Sequence, residues 1–320
     1  MSRQVRDWLV HCADPLGACV PPSRLPSPKA AHEMVRQAER HGVLPALLRH
    51  FPFDQDPALA PVKADARARH RTGLGFSLVL RAQCEALMAA LRGLPVTVMK
   101  GPLFAQHLYP DPQLRGFTDL DLLAAPEAVP AIAALLPQQG YWLATVDNES
   151  DPQEWKWLHR DNDALMVEVQ TNLIHRSRLR ALLSVTYADI AHGADQPAAL
   201  LLIALVHGGA GHRYKRLQHV VDILQGARAL TDPAEEVRFA ALVTRTNARF
   251  PAVVGLELAG RLFDEPRCLE IAQALGPVRH ASLARLLLGR TVIASTMARN
   301  GWLHGLRRMP LRPLLRLSSR

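Results

Sequence analysis

Apolar positions recur at helical spacing through roughly the first ninety residues, and then the period changes. The stretch "SPKAAHEMVRQAERHGVLPALLRHF" (27–51) predicts a helix, with Ser27 as N-cap and Pro28 at the first helical position. A loop at 54–61 leads into "VKADARARHRTGLGFSLVLRAQCEALMAALRG" (62–93), a second helical pattern that ends in Gly93. From there the pattern becomes strand-like. "LPVTVMKG" (94–101) is a β-branched run closed by glycine, "PLFAQHLY" (102–109) fits a short helix, and "PDPQLRG" (110–116) fits a loop. "FTDLDLLA" (117–124) alternates as a strand does. "PEAVPAIAALLPQQG" (126–140) reads as a helix stopped by Gly140, and "YWLATV" (141–146) as a strand. "EWKWLHR" and "ALMVEVQTNL" flank "DND" (161–163) and predict a hairpin. Helical spacing returns at 178–191, 197–210, 213–230, 233–248 and 250–263.

These elements sum to an α/β (α+β) chain. A small mixed sheet with one or two crossover helices occupies 93–177. It lies between an N-terminal helical region (1–92) and a C-terminal one (178–265), and a basic, Arg-rich helical tail (266–320) follows. There is no internal repeat and no low-complexity linker.

Composition narrows the class. The 320 residues are 48% hydrophobic and 21% charged, which fits a globular chain and excludes a disordered one. No run reaches the ~18–20 apolar residues of a membrane span. The N-terminus lacks the apolar region of a signal peptide, so a cytoplasmic protein with no transmembrane segment is expected. Cys12, Cys19, Cys84 and Cys268 form no CxxC pair, which predicts free thiols and argues against a structural zinc. The +9 net charge is confined: residues 271–320 hold nine arginines and no Asp, Glu or Lys. A general nucleic-acid coat is therefore not indicated, whereas a local basic appendage is. The partners suited to that tail are an acidic protein, nucleic acid or an anionic membrane surface, and its leucines favour an amphipathic helix.

The chemistry is concentrated at "RGFTDLDLL" (115–123). Residues two apart on a strand share a face, so Asp119 and Asp121 project together from an otherwise apolar run. Two partly buried carboxylates repel each other, and a divalent cation with a preference for oxygen ligands resolves the repulsion. A third acid is expected from a neighbouring strand. "MVEVQ" supplies Glu168, the one acid in that run; its competing reading is a cross-strand ion pair with Lys156 or Arg160. Upstream, Gly101 at a strand-to-helix turn lets a phosphate approach backbone N–H groups, although Pro102 removes one donor. Lys100 can neutralise phosphate charge. Arg115 is placed either to reach a triphosphate or to pair with Asp119 or Asp121.

With those residues in order, "VMKGPLFAQHLYPDPQLRGFTDLDLLAAPEAVPAIAALLPQQGY", "VEVQTNL" and "LLLIALVHGGAGHRYKRLQHVVDILQGA" resemble the uncharacterised nucleotidyltransferase family of bacterial proteins, a branch of the polymerase-beta-like superfamily. The resemblance covers roughly residues 30–230. It implies a metal-dependent nucleotidyltransferase with a two-metal mechanism. NMP would pass from an NTP to an acceptor that is a small molecule, a peptide or protein, or RNA. It further implies Mg²⁺ or Mn²⁺ on Asp119, Asp121 and Glu168, with Gly101 in the phosphate turn. The chain departs from the superfamily pattern at Lys100–Gly101–Pro102, in the longer gap from Gly101 to Asp119, and at Gln170, where the branch commonly carries His. The alternative is a non-catalytic nucleotide-binding or scaffolding module on the same fold.

"HGGAGHRYKRLQHVVDI" gathers His207, His212 and Asp222, which could be metal ligands. The glycines at 208, 209 and 211 argue instead for a helix break and close packing. On that reading His207, Arg216 and Asp222 buttress the site or meet a nucleobase. Trp155 and Trp157 share a strand face and read as core.

Overall fold

The computed structural model describes residues 1–147, 151–288 and 313–314. Four helices lead the chain: α1 (Arg3–Ala13), α2 (Pro28–Arg40), α3 (Leu44–His50) and α4 (Ala60–Ala90). The predicted 27–51 helix is two, because the chain turns at Gly42 in a left-handed conformation that glycine tolerates. Ser27 caps α2 by accepting a bond from the Ala30 N–H. There follow β1 (Val96–Met99), α5 (Gly101–His107), β2 (Leu120–Ala124), α6 (Val129–Leu135), β3 (Tyr141–Asp147), β4 (Glu154–His159) and β5 (Asn162–Gln170). The C-terminal helices are α7 (Ser177–Arg180), α8 (Tyr187–Ile190), α9 (Pro197–Val206), α10 (Leu217–Ala229), α11 (Pro233–Arg245), α12 (Arg249–Phe263), α13 (Pro266–Ala274) and α14 (Ala281–Leu287). Gly140, at φ 85°, ends the segment after α6 as its position in the sequence predicts.

The strands form one mixed sheet in the order β1-β2-β5-β4-β3. β2 and β5 are parallel, and the other neighbours are antiparallel. Period-2 alternation separates the two faces. Leu120 and Leu122 of β2, Trp157 of β4 and Val167 and Val169 of β5 join one apolar cluster, with Leu80 and Leu87 of α4 and Ile132 of α6. Trp155 packs against it, so the tryptophan pair is core. Asp121, Glu168, Gln170, Glu154 and Lys156 occupy the alternate positions and face the other way.

A second, larger cluster joins the N-terminal helices to the C-terminal ones and reaches the sheet through Met99 and Leu123. At its centre, every residue of α9 after Pro197 is buried, as expected for a helix that is apolar all round. His41, at the end of α2, is also buried and accepts from the Leu217 N–H at the start of α10. The four cysteines are free thiols. No helix among the described residues is long and apolar enough to cross a membrane.

Most of the arginine-rich tail lies outside the described residues. Within them, α14 buries Ala281 and Ala284 and exposes Leu283 and Leu286, and Leu314 joins the main cluster.

Candidate functional site

A cleft of about 1120 Å³ opens on the polar face of the sheet. Its walls include Lys100, Asp119, Asp121, Glu168, His207 and Arg216. β2 begins at Leu120, later than the predicted 117, so Asp119 sits in the bend just before the strand and Asp121 within it. Both remain in the cleft. Parallel pairing places Asp121 directly opposite Glu168. This register joins residues 47 positions apart in sequence and follows from the buried alternation of β2 and β5.

Two amines hold these acids. Lys100 Nζ lies 2.8 Å from Asp121 Oδ1, and Lys156 Nζ donates to Glu168 Oε1 at 2.6 Å. Glu168 thus makes the cross-strand ion pair with Lys156 while standing opposite Asp121. Lys100 was expected to neutralise a phosphate; in this structure it is buried against Asp121, with His207 Nδ1 3.3 Å from its Nζ. An ammonium can only donate, so His207 Nδ1 is the acceptor. Lys100 takes φ 52°, ψ −140°, a conformation strained for a residue with a Cβ, and it directly precedes Gly101 at φ 35°.

Arg115 does not make the ion pair with Asp119 or Asp121 that is one of its sequence readings. It reaches neither Asp119 nor Asp121. Its Nε and Nη2 donate to Asp222 at 2.8 and 3.0 Å, its Nη1 donates to the Gly101 carbonyl, and its guanidinium stands 5.1 Å from the Phe104 ring centroid. Tyr109 also donates to Asp222. The reason is burial: a guanidinium enclosed by α5 and α10 requires a carboxylate buried with it. Asp222 therefore ties α10 to the turn that carries Gly101.

The histidine-glycine stretch breaks the helix as expected. Residues 207–211 form a π-helical turn, and Arg213 and Tyr214 follow with positive φ. A Cβ on Gly209 would stand 2.8 Å from the Tyr214 hydroxyl, so the turn requires glycine there. His207, His212 and His219 cluster with ring centroids 4.3 to 5.5 Å apart. Burial and neighbouring Lys100 hold His207 well below the usual imidazole range, and burial and neighbouring His212 do the same to His219. All three line the cleft, His207 and His219 as neutral rings. Arg216 is exposed at its rim.

Several cleft residues had no place in the site as read from sequence. Gln170 Nε2 lies 3.1 Å from Asp121 Oδ1 and 3.4 Å from both Glu154 Oε1 and Glu168 Oε2. His175 Nε2 meets Gln170 Oε1 at 3.2 Å. Among the described residues, the one group of three His, Cys, Asp or Glu side chains with ligand atoms within 4.8 Å of one another is Asp147, Glu154 and His175. Asp119, Asp121 and Glu168 do not close to that spacing, and neither do His207, His212 and Asp222. The signal for Glu154 and Lys156 was present in "EWKW": if the tryptophans share the core face, the charges between them share the other.

Electrostatics follows from crowding. Burial first, then Asp121, pushes Asp119 up to about 6. Burial and Asp121 also raise Glu168, against Lys156. On the sheet floor of the cleft, Asp119, Asp121, Glu168, Glu154 and Asp147 stand with Lys100 and Lys156, while Arg69, Arg176, Lys215 and Arg216 line its other walls. An excess of hard oxygen donors of this kind fits a divalent cation.

A family model described as "uncharacterised nucleotidyltransferase" matches residues 27–264, most of the chain. The chain belongs to that family. Neither a curated protein nor a solved structure matches it. Its five-strand mixed sheet flanked by helices is the nucleotidyltransferase-type fold that membership implies. The family's matched span contains every cleft residue named above.

Proposed function

We propose that the cleft transfers NMP from an NTP to an acceptor nucleophile, with Asp119, Asp121 and Glu168 holding Mg²⁺ or Mn²⁺. The single observation behind this reading is Asp121 set opposite Glu168 across the parallel pair, beside Asp119 and Lys100, in a cleft large enough for a nucleotide and more. Bound there, the metal would supply Lewis-acid stabilisation of the phosphates and activation of the attacking oxygen. The bond formed is acceptor oxygen to α-phosphorus; the bond broken is α-phosphorus to bridging oxygen, and pyrophosphate leaves.

The chain's own groups have distinct tasks. Lys100, 2.8 Å from Asp121, would neutralise charge on the phosphates of a bound NTP. Gly101 keeps the turn open to phosphate. Glu168, opposite Asp121, would take the acceptor's proton. Arg115 and Asp222 position the Gly101 turn rather than touch substrate. The neutral histidines and Arg216 form the wall for the base or the acceptor.

The test is calorimetric titration of the protein with each NTP in Mg²⁺ or Mn²⁺, followed by α-labelled NTP with cell extract, comparing wild type with Asp119→Asn. Absence of metal-dependent NTP binding would remove the reading's support. One observation favours the second reading, a non-catalytic nucleotide-binding or scaffolding module: Lys100 and Lys156 already neutralise Asp121 and Glu168 at 2.8 and 2.6 Å. On that reading the Asp119→Asn/Asp121→Asn double variant keeps its partners and its biological phenotype; loss of both excludes it.

A further inference from the structure

Beside the Asp121–Glu168 pair, the same sheet face continues to β4 and β3, where Glu154 stands opposite Asp147. His175, just after β5, closes over them. Its ring is oriented by Gln170. The Gln170 amide nitrogen is surrounded by oxygens of Asp121, Glu168 and Glu154, which fixes the nitrogen end of the amide toward the acids. The Oε1 end then faces His175, so at 3.2 Å His175 Nε2 must be the donor. This tautomer turns the Nδ1 lone pair toward Glu154 Oε1 at 3.5 Å and Asp147 Oδ2 at 3.8 Å. A lone pair aimed at two carboxylate oxygens is repulsive, and Lys156 Nζ, 3.5 Å from the other Glu154 oxygen, offsets that only on the Glu154 side. A protonated ring would draw the oxygens to about 2.7–2.9 Å, the spacing of a charge-assisted hydrogen bond. Donor atoms bound at ~2.1 Å to one first-row ion stand roughly 3.0–3.5 Å apart, close to the spacing seen.

We propose that Asp147, Glu154 and His175 form a second cation site, selective for a first-row divalent ion such as Mn²⁺ or Zn²⁺, held ready by Gln170 independently of nucleotide. One imidazole with two carboxylates favours these ions over Mg²⁺, which prefers all-oxygen surroundings. The hydrogen bond on the far ring nitrogen is the usual outer support of a ligating histidine. Because Gln170 also reaches Asp121 and Glu168, it links this site to the nucleotidyl-transfer cleft. The proposal does not depend on the transfer reading.

The test titrates the full chain with Zn²⁺ alone and Mn²⁺ alone, without nucleotide, and records nitrogen hyperfine coupling on bound Mn²⁺. One nucleotide-independent site with imidazole coupling is expected. Affinity should fall at least about tenfold in His175→Ala and in Asp147→Asn, and the coupling should vanish in His175→Ala. Asp147 is exposed, so its variant reports binding without threatening the fold. Asp119→Asn should retain the coupled site. The proposal is overturned if no ion binds without nucleotide, if His175→Ala binds as wild type does, or if only Asp119→Asn loses the ion. The last result leaves the transfer reading standing, whereas loss of NTP binding with the coupled site intact removes that reading alone.

Discussion

On one face of the sheet, Trp157, Val167 and Val169 are closed beneath α4 and α6; on the other, Lys156, Glu168 and Gln170 open onto the cleft. The two sets alternate along the same two strands. The apolar face gains its stability from area removed from water, which is non-directional and tolerates exchange of similar shapes. The polar face depends on pairings: each acid there touches an amine, an amide or an imidazole, and the acids outnumber the amines. The contrast teaches that β4 and β5 hold their register through one face and present their chemistry on the other. Substitutions on the two faces should therefore fail in different ways.

The strongest separation comes from Trp157→Ala. It should cost about 3–5 kcal/mol of stability, read as a fall in denaturant midpoint. Arg115→Ala comes next, because it leaves Asp222 buried and unpaired; a loss of about 3–5 kcal/mol is expected, and Asp222→Asn should cost less. If Arg115→Ala folds normally but loses NTP affinity, the arginine contacts substrate after all. Asp121→Asn should show the reverse of Trp157→Ala. Its melting temperature should fall less than that of Trp157→Ala, because relief of the repulsion between Asp121 and its neighbouring acids offsets part of the lost pairing with Lys100, while nucleotidyl transfer falls about 10²–10³-fold.

The smallest effect is in pH. The Asp119 carboxyl, pushed up to about 6, keeps its proton in the fold where the unfolded chain, near 3.8, has lost it. Proton binding therefore favours the folded state. That contribution is complete below about pH 4 and is lost as pH rises through about 6. Metal affinity runs the other way, since the ligand must be deprotonated, so Mg²⁺ or Mn²⁺ should raise the melting temperature more at pH 7.5 than at pH 5. Asp119→Asn should flatten both trends in thermal melts recorded across that range.

The sequence carried the strand-turn-helix order and the partition of side chains between faces, because alternation and glycine stops are local signals. Asp119, Asp121, Glu168 and Lys100 were legible for the same reason: each interrupts an apolar run. The pairing of Arg115 with Asp222 was not, since 107 residues separate them and only the docking of α10 against α5 brings them together. The hub formed by Gln170, Glu154 and His175 was hidden differently. Gln170 looked like a departure from the family pattern, whereas in the fold His175, five residues later, reaches back to its amide. The strand start at Leu120 rather than Phe117 shows that propensity sets a strand's kind better than its ends.

The parallel pairing of β2 with β5, with the Arg115–Asp222 and Lys100–His207 contacts above it, has a consequence during synthesis. Each of these contacts waits for sequence that emerges from the ribosome much later, and α10 must arrive before the Gly101 turn is braced. A nascent chain that has reached β2 holds its aspartates on an unpaired edge, with no cleft to order a nucleotide. On the transfer reading, competence to bind a nucleotide is therefore expected only of the finished fold, after about two-thirds of the polypeptide has been made.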